Sequence, residues 1–404
     1  MNRMCRLTFL MGFVCTWANL SAQVQLVSLQ GQLVDGKTKE PLSYASLYIR
    51  GRSIGTVTNE KGNFLLRVDR PTQADTLLIS LLGYQTQRLP ILRLLEQPAG
   101  ARWELHQVVN QLREVAVRPI DAVELVTRAV KRIPDNYSEK PILLTGFYRE
   151  WIREQELTLL SEGQLEVYKA GCRKGISNDA VRFVKGRRKQ LPDYFLSEGD
   201  TCRIPSITNG PHLAILLDLA KPPTDMTNFL SEIGPEIYTF DYAGMTAIHD
   251  RDAYEITFTP NLKVAWRSTA FFAGKLLIDK ESLAIVQAEY DLSTIGRFHV
   301  NRELSLGKLP LRVVKRRHLM NYHPHDGRYV LHHVQVDNEY RYTVKQAKPI
   351  TNRMDFLVTK TTSQNVQKIP KKASIALNQS FSEQVMPFDT AFWAKETILE
   401  EVKN

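Results

Sequence analysis

A period-two alternation of apolar and polar side chains is the feature that most constrains the fold of this 404-residue chain. It recurs in short runs, for example over residues 45–50 and 63–68, and a polar turn at 59–62 separates those two. A strand buried on one face produces such alternation, whereas a helix repeats every 3.6 residues. The sequence therefore predicts a mainly β protein with some α, which begins with an antiparallel β-sandwich.

Longer alternating runs follow from Ile142 onward and predict a larger α+β domain with a curved antiparallel sheet. Two long strands come first, a mainly helical interlude is expected over 212–233, and hairpin strands follow. Asp326-Gly327, between the strands predicted at 311–321 and 328–337, is a strong hairpin signal. A short helix is expected before this domain, because Asp121 can cap its first turn.

The beginning of the chain has the pattern of a secretory signal peptide. Arg3 and Arg6 form a basic start, 7–18 is mostly apolar, and Ala22 is a small residue suited to cleavage. Removing the two arginines lowers the formal net charge from +10 to +8, so the remaining chain stays basic. No later apolar run approaches the length of a membrane helix, and no transmembrane span is expected after signal removal.

Residues 31–68 and the following LLISLLGYQTQRLPI resemble the carboxypeptidase regulatory-like domain. The resemblance rests on a G-x-L-x-D start, a P-L-x-x-A strand, a T-x-x-x-G-x-F turn and an L-G-Y bend. It implies a seven-stranded, transthyretin-like β-sandwich without catalytic residues. From KPILLTGFYREWIRE onward the chain resembles exported bacterial proteins with a C-terminal domain of unknown function.

These observations predict five segments of the chain. They are a signal peptide at 1–22, the sandwich at 27–107, a linker strand and amphipathic helix at 108–140, the β-rich α+β domain at 141–375, and a C-terminal tail with a short helix at 376–404.

Two sequence patterns of enzymes occur without the surrounding elements or ligands that the enzymes need. Gly51 to Gly55 matches G-x-S-x-G, but a nucleophile elbow needs a helix after its serine, and Ser53 lies between predicted strands. A zinc carboxypeptidase needs H-x-x-E, and His249, followed by Asp252, is the nearest approach. The sequence contains no phosphate-binding glycine motif. We therefore predict that the protein is not an enzyme, with no catalytic residue and no cofactor.

Four histidines, 323, 325, 332 and 333, fall across one predicted hairpin. Two or three imidazoles are able to bind zinc. However, a Pro-His-Asp-Gly tip is normally solvated, and adjacent residues of a strand point to opposite faces. No metal site is predicted.

Cys172 and Cys202 are the cysteines that remain after signal removal. In an oxidising compartment they form a candidate disulfide, whose loop of about 30 residues would add roughly 3–4 kcal/mol of stability in the chain-entropy model. The alternative is a pair of buried thiols.

The densest charge of the chain is a basic run. Its members, Arg182, Lys185, Arg187, Arg188 and Lys189, form a candidate anion-binding patch. The alternative is an ordinary solvated face. A basic exported protein has anionic lipid, glycan or an envelope protein as expected partners, and nucleic acid is not expected.

The sequence thus predicts an exported cell-envelope protein of the periplasm or outer membrane, with a non-catalytic binding or scaffolding role. One alternative is a lipid or lipoprotein carrier that uses a half-open sheet. It predicts an apolar cavity lined by Tyr254, Ile256, Phe258, Leu276 and Ile278. The other is an envelope hydrolase, which predicts a polar cleft with converging carboxylates or histidines.

Overall fold

The structure is a computed structural model of the chain. It describes residues 26–107, 120–190, 210–306, 311–376, 381 and 386–387, without 51, 53, 60, 82, 97, 99, 155–156, 224–227, 249–250, 262, 264–271 and 344–348. All statements below concern these residues.

The N-terminal unit is a two-sheet sandwich. Its strands are β1 (Leu26–Asp35), β2 (Ser46–Ile49), β3 (Gly55–Val57), β4 (Asn63–Asp69), β5 (Thr76–Ser80), β6 (Gln87–Pro90) and β7 (Ala101–Leu105), with a short helix α1 (Ile91–Leu95). One sheet has the order β4-β1-β7 and the other β3-β2-β5-β6. The seven predicted strands are thus confirmed. Leu33, Leu47, Phe64 and Leu66 fill the space between the sheets.

The second unit is built on one large sheet. Its strands are β8 (Ile142–Arg153), β9 (Leu157–Lys169), β10 (Ala180–Gln190), β11 (Tyr238–Ile248), β12 (Arg251–Pro260), β13 (Phe272–Asp279), β14 (Ile285–Leu292), β15 (Leu311–His325), β16 (Arg328–Tyr342), β17 (Ile350–Thr362) and β18 (Met386–Pro387). The order is β11-β12-β13-β14-β15-β16-β17-β8-β9-β10-β18. All neighbouring pairs are antiparallel except β10 with β18.

Helices cover one face of this sheet. The helices after the sandwich are α2 (Ala122–Lys131), α3 (Ile133–Asn136), α4 (Leu213–Leu216), α5 (Gly234–Ile237) and α6 (Thr294–Leu306). The side chain of Asp121 accepts a 3.0 Å hydrogen bond from the backbone N–H of Glu124, which is the predicted cap. Only α4 and short 3-10 or turn segments occur in the described part of 212–233. Pro222 and Pro223 prevent one continuous helix across this region.

The apolar face of the large sheet is packed with the chain's own side chains. Residues of α2, residues of 213–220 and 229–230, and Phe381 share one core with the strands. The ring of Phe229 stacks on Phe258 with centroids 4.2 Å apart. Burial of this kind is worth about 25 cal/mol per Å² of apolar surface, so this face supplies much of the stability of the unit.

A buried ionic network fixes segment 213–221 to the sheet. The Nζ atom of Lys169 lies 2.9 Å from carboxylate oxygens of both Asp179 and Asp218. Lys221 lies 2.8 Å from Asp179, and the hydroxyl of Tyr322 donates to Asp218 over 2.9 Å. Burial alone lowers the pKa of Lys169, but the two carboxylates outweigh it and raise that pKa. The two lysines and two aspartates balance each other in charge.

The opposite face of the large sheet carries polar residues and meets the sandwich. The Oγ atom of Ser46 on β2 lies 3.1 Å from Nε2 of His323 on β15. The guanidinium of Arg353 on β17 lies over the ring of Tyr44, 5.4 Å from its centroid. The two units therefore dock through polar and aromatic contacts.

Candidate functional site

A cavity of about 250 Å³ lies where the sandwich meets the polar face of the large sheet. We call it the interdomain cleft. Its lining comprises Ser43, Tyr44, Ser46, Ser80 and Leu81 of the sandwich, and Ile248, Gln287, Glu289, Arg317, Leu319, Asn321 and His323 of the sheet. Clefts between structural units are a frequent position for ligand sites.

Two amide side chains form part of the floor of the cleft. Gln287 on β14 and Asn321 on β15 are directly opposite in the antiparallel pairing. Such cross-strand neighbours have Cβ atoms about 4.5–5.5 Å apart on one face. Within the described part of the chain, no residue is hydrogen bonded to either side-chain amide. Both amides therefore keep their donors and acceptors for solvent or a ligand.

Two hydroxyls of the sandwich complete this set. Ser43 lies in the turn before β2, and Ser80 ends β5. Neither hydroxyl is hydrogen bonded to another residue that the structure describes. Ser43, Ser80, Gln287 and Asn321, the four open polar residues, thus converge on one cavity from both units.

The charges of the cleft are paired with one another. Arg317 lies 2.8 Å from a carboxylate oxygen of Glu289 and 3.3 Å from one of Asp337. Asp337 also accepts a hydrogen bond from Arg353. Burial lowers the pKa of Arg317, but the two carboxylates outweigh that effect and raise it. The cleft therefore presents no uncompensated charge from these four side chains.

One histidine of the cleft lining, His323, belongs to a stacked pair. The rings of His323 and His332 are stacked, with centroids 3.7 Å apart and planes at 12°. Both are buried, and the ring of Tyr48 lies 4.4 Å from that of His323. A register shift between Asn321 and Tyr322 places His332 in a β-bulge, so the strict alternation expected for adjacent histidines is interrupted.

His333 and His325 stay apart from that stack. His333 lies 3.3 Å from Asp355, while His325 lies 3.4 Å from Asp326 at the hairpin tip. Asp326 and Gly327 have positive φ values of 48° and 75°, as the predicted two-residue hairpin turn requires. Among the described residues, no group of three or more His, Cys, Asp or Glu side chains is arranged to hold a metal ion.

The contact between Ser46 and His323 has the spacing of a nucleophile and its base. Its setting differs from that of a nucleophile elbow, which presents serine on a turn between a strand and a helix. Ser46 instead lies in β2, between β3 and β5. The serine of the G-x-S-x-G motif, Ser53, and His249 lie outside the described residues.

The candidate disulfide stays a prediction. Cys172 is buried as a free thiol, and its Sγ lies 3.9 Å from the carbonyl oxygen of Tyr137. Cys202 lies outside the described residues.

The candidate anion-binding patch lies on β10. Arg182 pairs with Glu166, and Arg187 pairs with Glu162, which is fully buried and also contacts Arg149 at 2.7 Å. Lys185 and Arg188 also take part in interactions, and the side chain of Lys189 lies outside the described part. Anion binding by the patch stays a prediction, with two of its five residues held by carboxylates.

The residues predicted to line a lipid cavity lie on the packed face. Ile256, Phe258, Leu276 and Ile278 have no accessible surface, and Tyr254 packs at the edge of the same core.

No helix among the described residues combines the length and apolarity needed to cross a membrane.

Fold and site together define a two-unit β protein with a polar interdomain cleft. Residues 29–117 match the CarboxypepD_reg-like domain family, so the sandwich belongs to that family. A segment of 73 residues is 34% identical to the TonB-dependent receptor SusC of Bacteroides thetaiotaomicron. The match spans 18% of this chain and 7% of the receptor.

Two solved structures show weak similarity to the chain. A DUF1329 family protein from Desulfovibrio piger aligns over 61% of this chain and 95% of its own, with 11% identity and a TM-score of 0.26. A lipovitellin structure described for its lipid–protein interactions aligns over 66% of this chain and 30% of its own, with 11% identity and a TM-score of 0.25. Similarity at this level does not define a shared fold.

Proposed function

We propose that this protein is an exported, non-catalytic binding protein of the cell envelope, and that its ligand occupies the interdomain cleft. The observation that carries the proposal is the convergence of the four open polar residues on one cavity. Polar groups at a domain boundary are normally paired with each other or with water, because an unpaired buried group is costly. Groups left open in a shared cavity are suited to a ligand.

The envelope location has two supports. The basic and apolar start of the chain has the pattern of an export signal. The sandwich belongs to the CarboxypepD_reg-like family, and a 73-residue segment of the chain is similar to part of a TonB-dependent receptor. The same proposal includes contact of β10 with anionic lipid or glycan, and association with an envelope protein.

The carrier alternative requires the packed face to open. An acyl chain would have to displace α2 or the packed residues of 213–220 and 229–230, and with the latter the contact between Phe229 and Phe258. The displaced side chains would expose about as much apolar surface as the acyl chain would bury, so the exchange brings little net stabilisation. The packed core therefore favours the cleft over the sheet's apolar face as the binding site.

The hydrolase alternative rests on the 3.1 Å contact between Ser46 and His323. A Ser46→Ala variant tests the hydrolase alternative separately from the binding proposal, because it removes the candidate nucleophile and leaves the side chains of the four open polar residues unchanged. We expect no hydrolytic activity on acyl or glycosyl esters in the wild-type chain, and no change in this variant. Ester hydrolysis that Ser46→Ala abolishes would instead make the protein an enzyme.

Native mass spectrometry of the full chain, purified from its own envelope, tests the binding proposal. A Ser43→Trp variant adds a large side chain to the lining of the cleft from the turn before β2. Ser28→Trp is the matched control, since Ser28 is exposed on β1 and does not line the cleft.

We expect a small polar molecule at unit stoichiometry in the wild type and in Ser28→Trp, and its loss in Ser43→Trp. Acyl lipid that both variants retain would support the carrier alternative and contradict the proposal. Bare polypeptide in all three samples would also contradict it.

A further inference from the structure

We propose that the ligand of the interdomain cleft is a neutral sugar ring. This inference rests on the proposed function and adds the chemical class of the ligand. It depends on three properties of the cleft: the kind of hydrogen-bonding groups that are open, the pairing of its charges, and the apolar surface beside them.

The open groups all both donate and accept hydrogen bonds. A serine hydroxyl has one donor and two acceptor lone pairs, and a side-chain amide has two donors and one acceptor oxygen. Ser43 and Ser80 face the cleft from the sandwich, while Gln287 and Asn321 face it from the sheet. Ring hydroxyls of a sugar also both donate and accept. Neighbouring hydroxyls match two amides that lie side by side on adjacent strands.

Charge pairing disfavours an ionic ligand. The carboxylate of Glu289 and the guanidinium of Arg317 contact each other at 2.8 Å, and Asp337 contacts both Arg317 and Arg353. A charged ligand would have to break one of these pairs or remain without a counter-ion. Burying an ion without a partner is costly, so the cleft selects neutral molecules.

Apolar side chains and a tyrosine supply the remaining lining. Leu81, Ile248 and Leu319 lie beside the polar groups, and the ring of Tyr44 borders the same space. A sugar ring has hydroxyls at its edge and C–H groups on its faces, so it suits a lining of this mixed kind. The volume of about 250 Å³ is below the usual range of drug-sized sites, so the cleft suits a small ligand.

Isothermal titration calorimetry of the full chain tests the class of ligand. The neutral probes are glucose, galactose and mannose, and the charged probes are glucuronate and glucosamine, which share the glucose ring. A Gln287→Ala/Asn321→Ala double variant removes the two floor amides. Gln30→Ala, at an exposed position of β1, is the control. Ser43→Trp serves as a second blocking variant should the double variant fail to fold.

We expect at least one neutral sugar to bind, with affinity that falls about tenfold or more in the double variant and stays unchanged in Gln30→Ala. Binding of only a charged probe, weakened by the same variants, would overturn the neutral class while leaving a ligand site in the cleft. Absence of binding by all five sugars would overturn the inference, and native mass spectrometry then decides separately whether the cleft holds another ligand. Binding that neither blocking variant weakens would place the sugar outside the cleft. That result would overturn both the sugar inference and the proposed ligand site.

Discussion

The Oγ atom of Ser46 lies 3.1 Å from Nε2 of His323, and this contact joins the sandwich to the large sheet. Both side chains are buried at the edge of the cleft, and 277 positions of sequence separate them. The position of the sandwich on the sheet, and hence the shape of the cleft, depends on contacts of this kind.

Ser46→Ala should destabilise the protein by about 1–3 kcal/mol, because a buried imidazole nitrogen loses its hydroxyl partner. Urea unfolding followed by circular dichroism measures the change. Ser28→Ala, at an exposed position, should leave the free energy of unfolding nearly unchanged. Equal effects of the two substitutions would show that the contact does not hold the units together.

Phe229→Ala should cost about 3–5 kcal/mol of unfolding free energy, since it leaves a cavity among packed aromatic rings. Phe229 is 2% exposed and stacks on Phe258. Phe298→Ala on α6 is the matched control, because Phe298 is 65% exposed. A loss below about 1 kcal/mol for Phe229→Ala would indicate an open or adaptable apolar face, as a lipid carrier requires.

Lys169→Met should destabilise the protein by about 3–5 kcal/mol, because Asp179 and Asp218 would lose a buried counter-charge. Lys174→Met removes an exposed ammonium from the same region and should have little effect. Thermal and urea unfolding of the pair measure the difference. Similar stability of both variants would contradict a structural role for the network that anchors segment 213–221.

His318 should make the protein less stable in mild acid. Burial lowers the pKa of His318 from 6.5 to about 3, and the positive charge of Arg316 acts in the same direction. Below pH 6.5 the unfolded chain takes up a proton that the folded chain does not, so this contribution to stability is complete above pH 6.5 and is lost as the pH falls toward 3. At pH 5 the loss is about 2 kcal/mol.

Urea unfolding at pH 7 and pH 5 measures this dependence. His318→Phe keeps an aromatic ring beside Phe272 and Tyr290 but removes the titration. The drop in stability between the two pH values should therefore be smaller in the variant by about 2 kcal/mol. An identical drop in both proteins would show that His318 is not the responsible group.

Local features of the fold follow from the sequence, because neighbouring residues decide them. Alternation and turn residues predict the seven strands of the sandwich, Asp121 predicts the start of α2, and Asp326-Gly327 predicts a hairpin turn. The helical interlude is a different case, since its apolar residues are held by packing on the sheet and the prolines shorten the helix.

The cleft is beyond the reach of a single sequence. Ser43 and Ser80 are more than 200 positions from Gln287 and Asn321, and only the docking of two units brings them together. Serine, glutamine and asparagine are common on exposed strand faces, so nothing in their local pattern distinguishes a site. The stacked pair of His323 and His332 depends on a β-bulge, which the period of two does not indicate.

A crystal structure of the full chain, purified from its own cell envelope without added ligand, tests the cleft most directly. Our account predicts electron density for a small polar molecule between the amides of Gln287 and Asn321 and the hydroxyls of Ser43 and Ser80. It also predicts that Phe229 remains stacked on Phe258. A cleft that holds only water would contradict the account, and acyl density between α2 and the large sheet would support a lipid carrier instead.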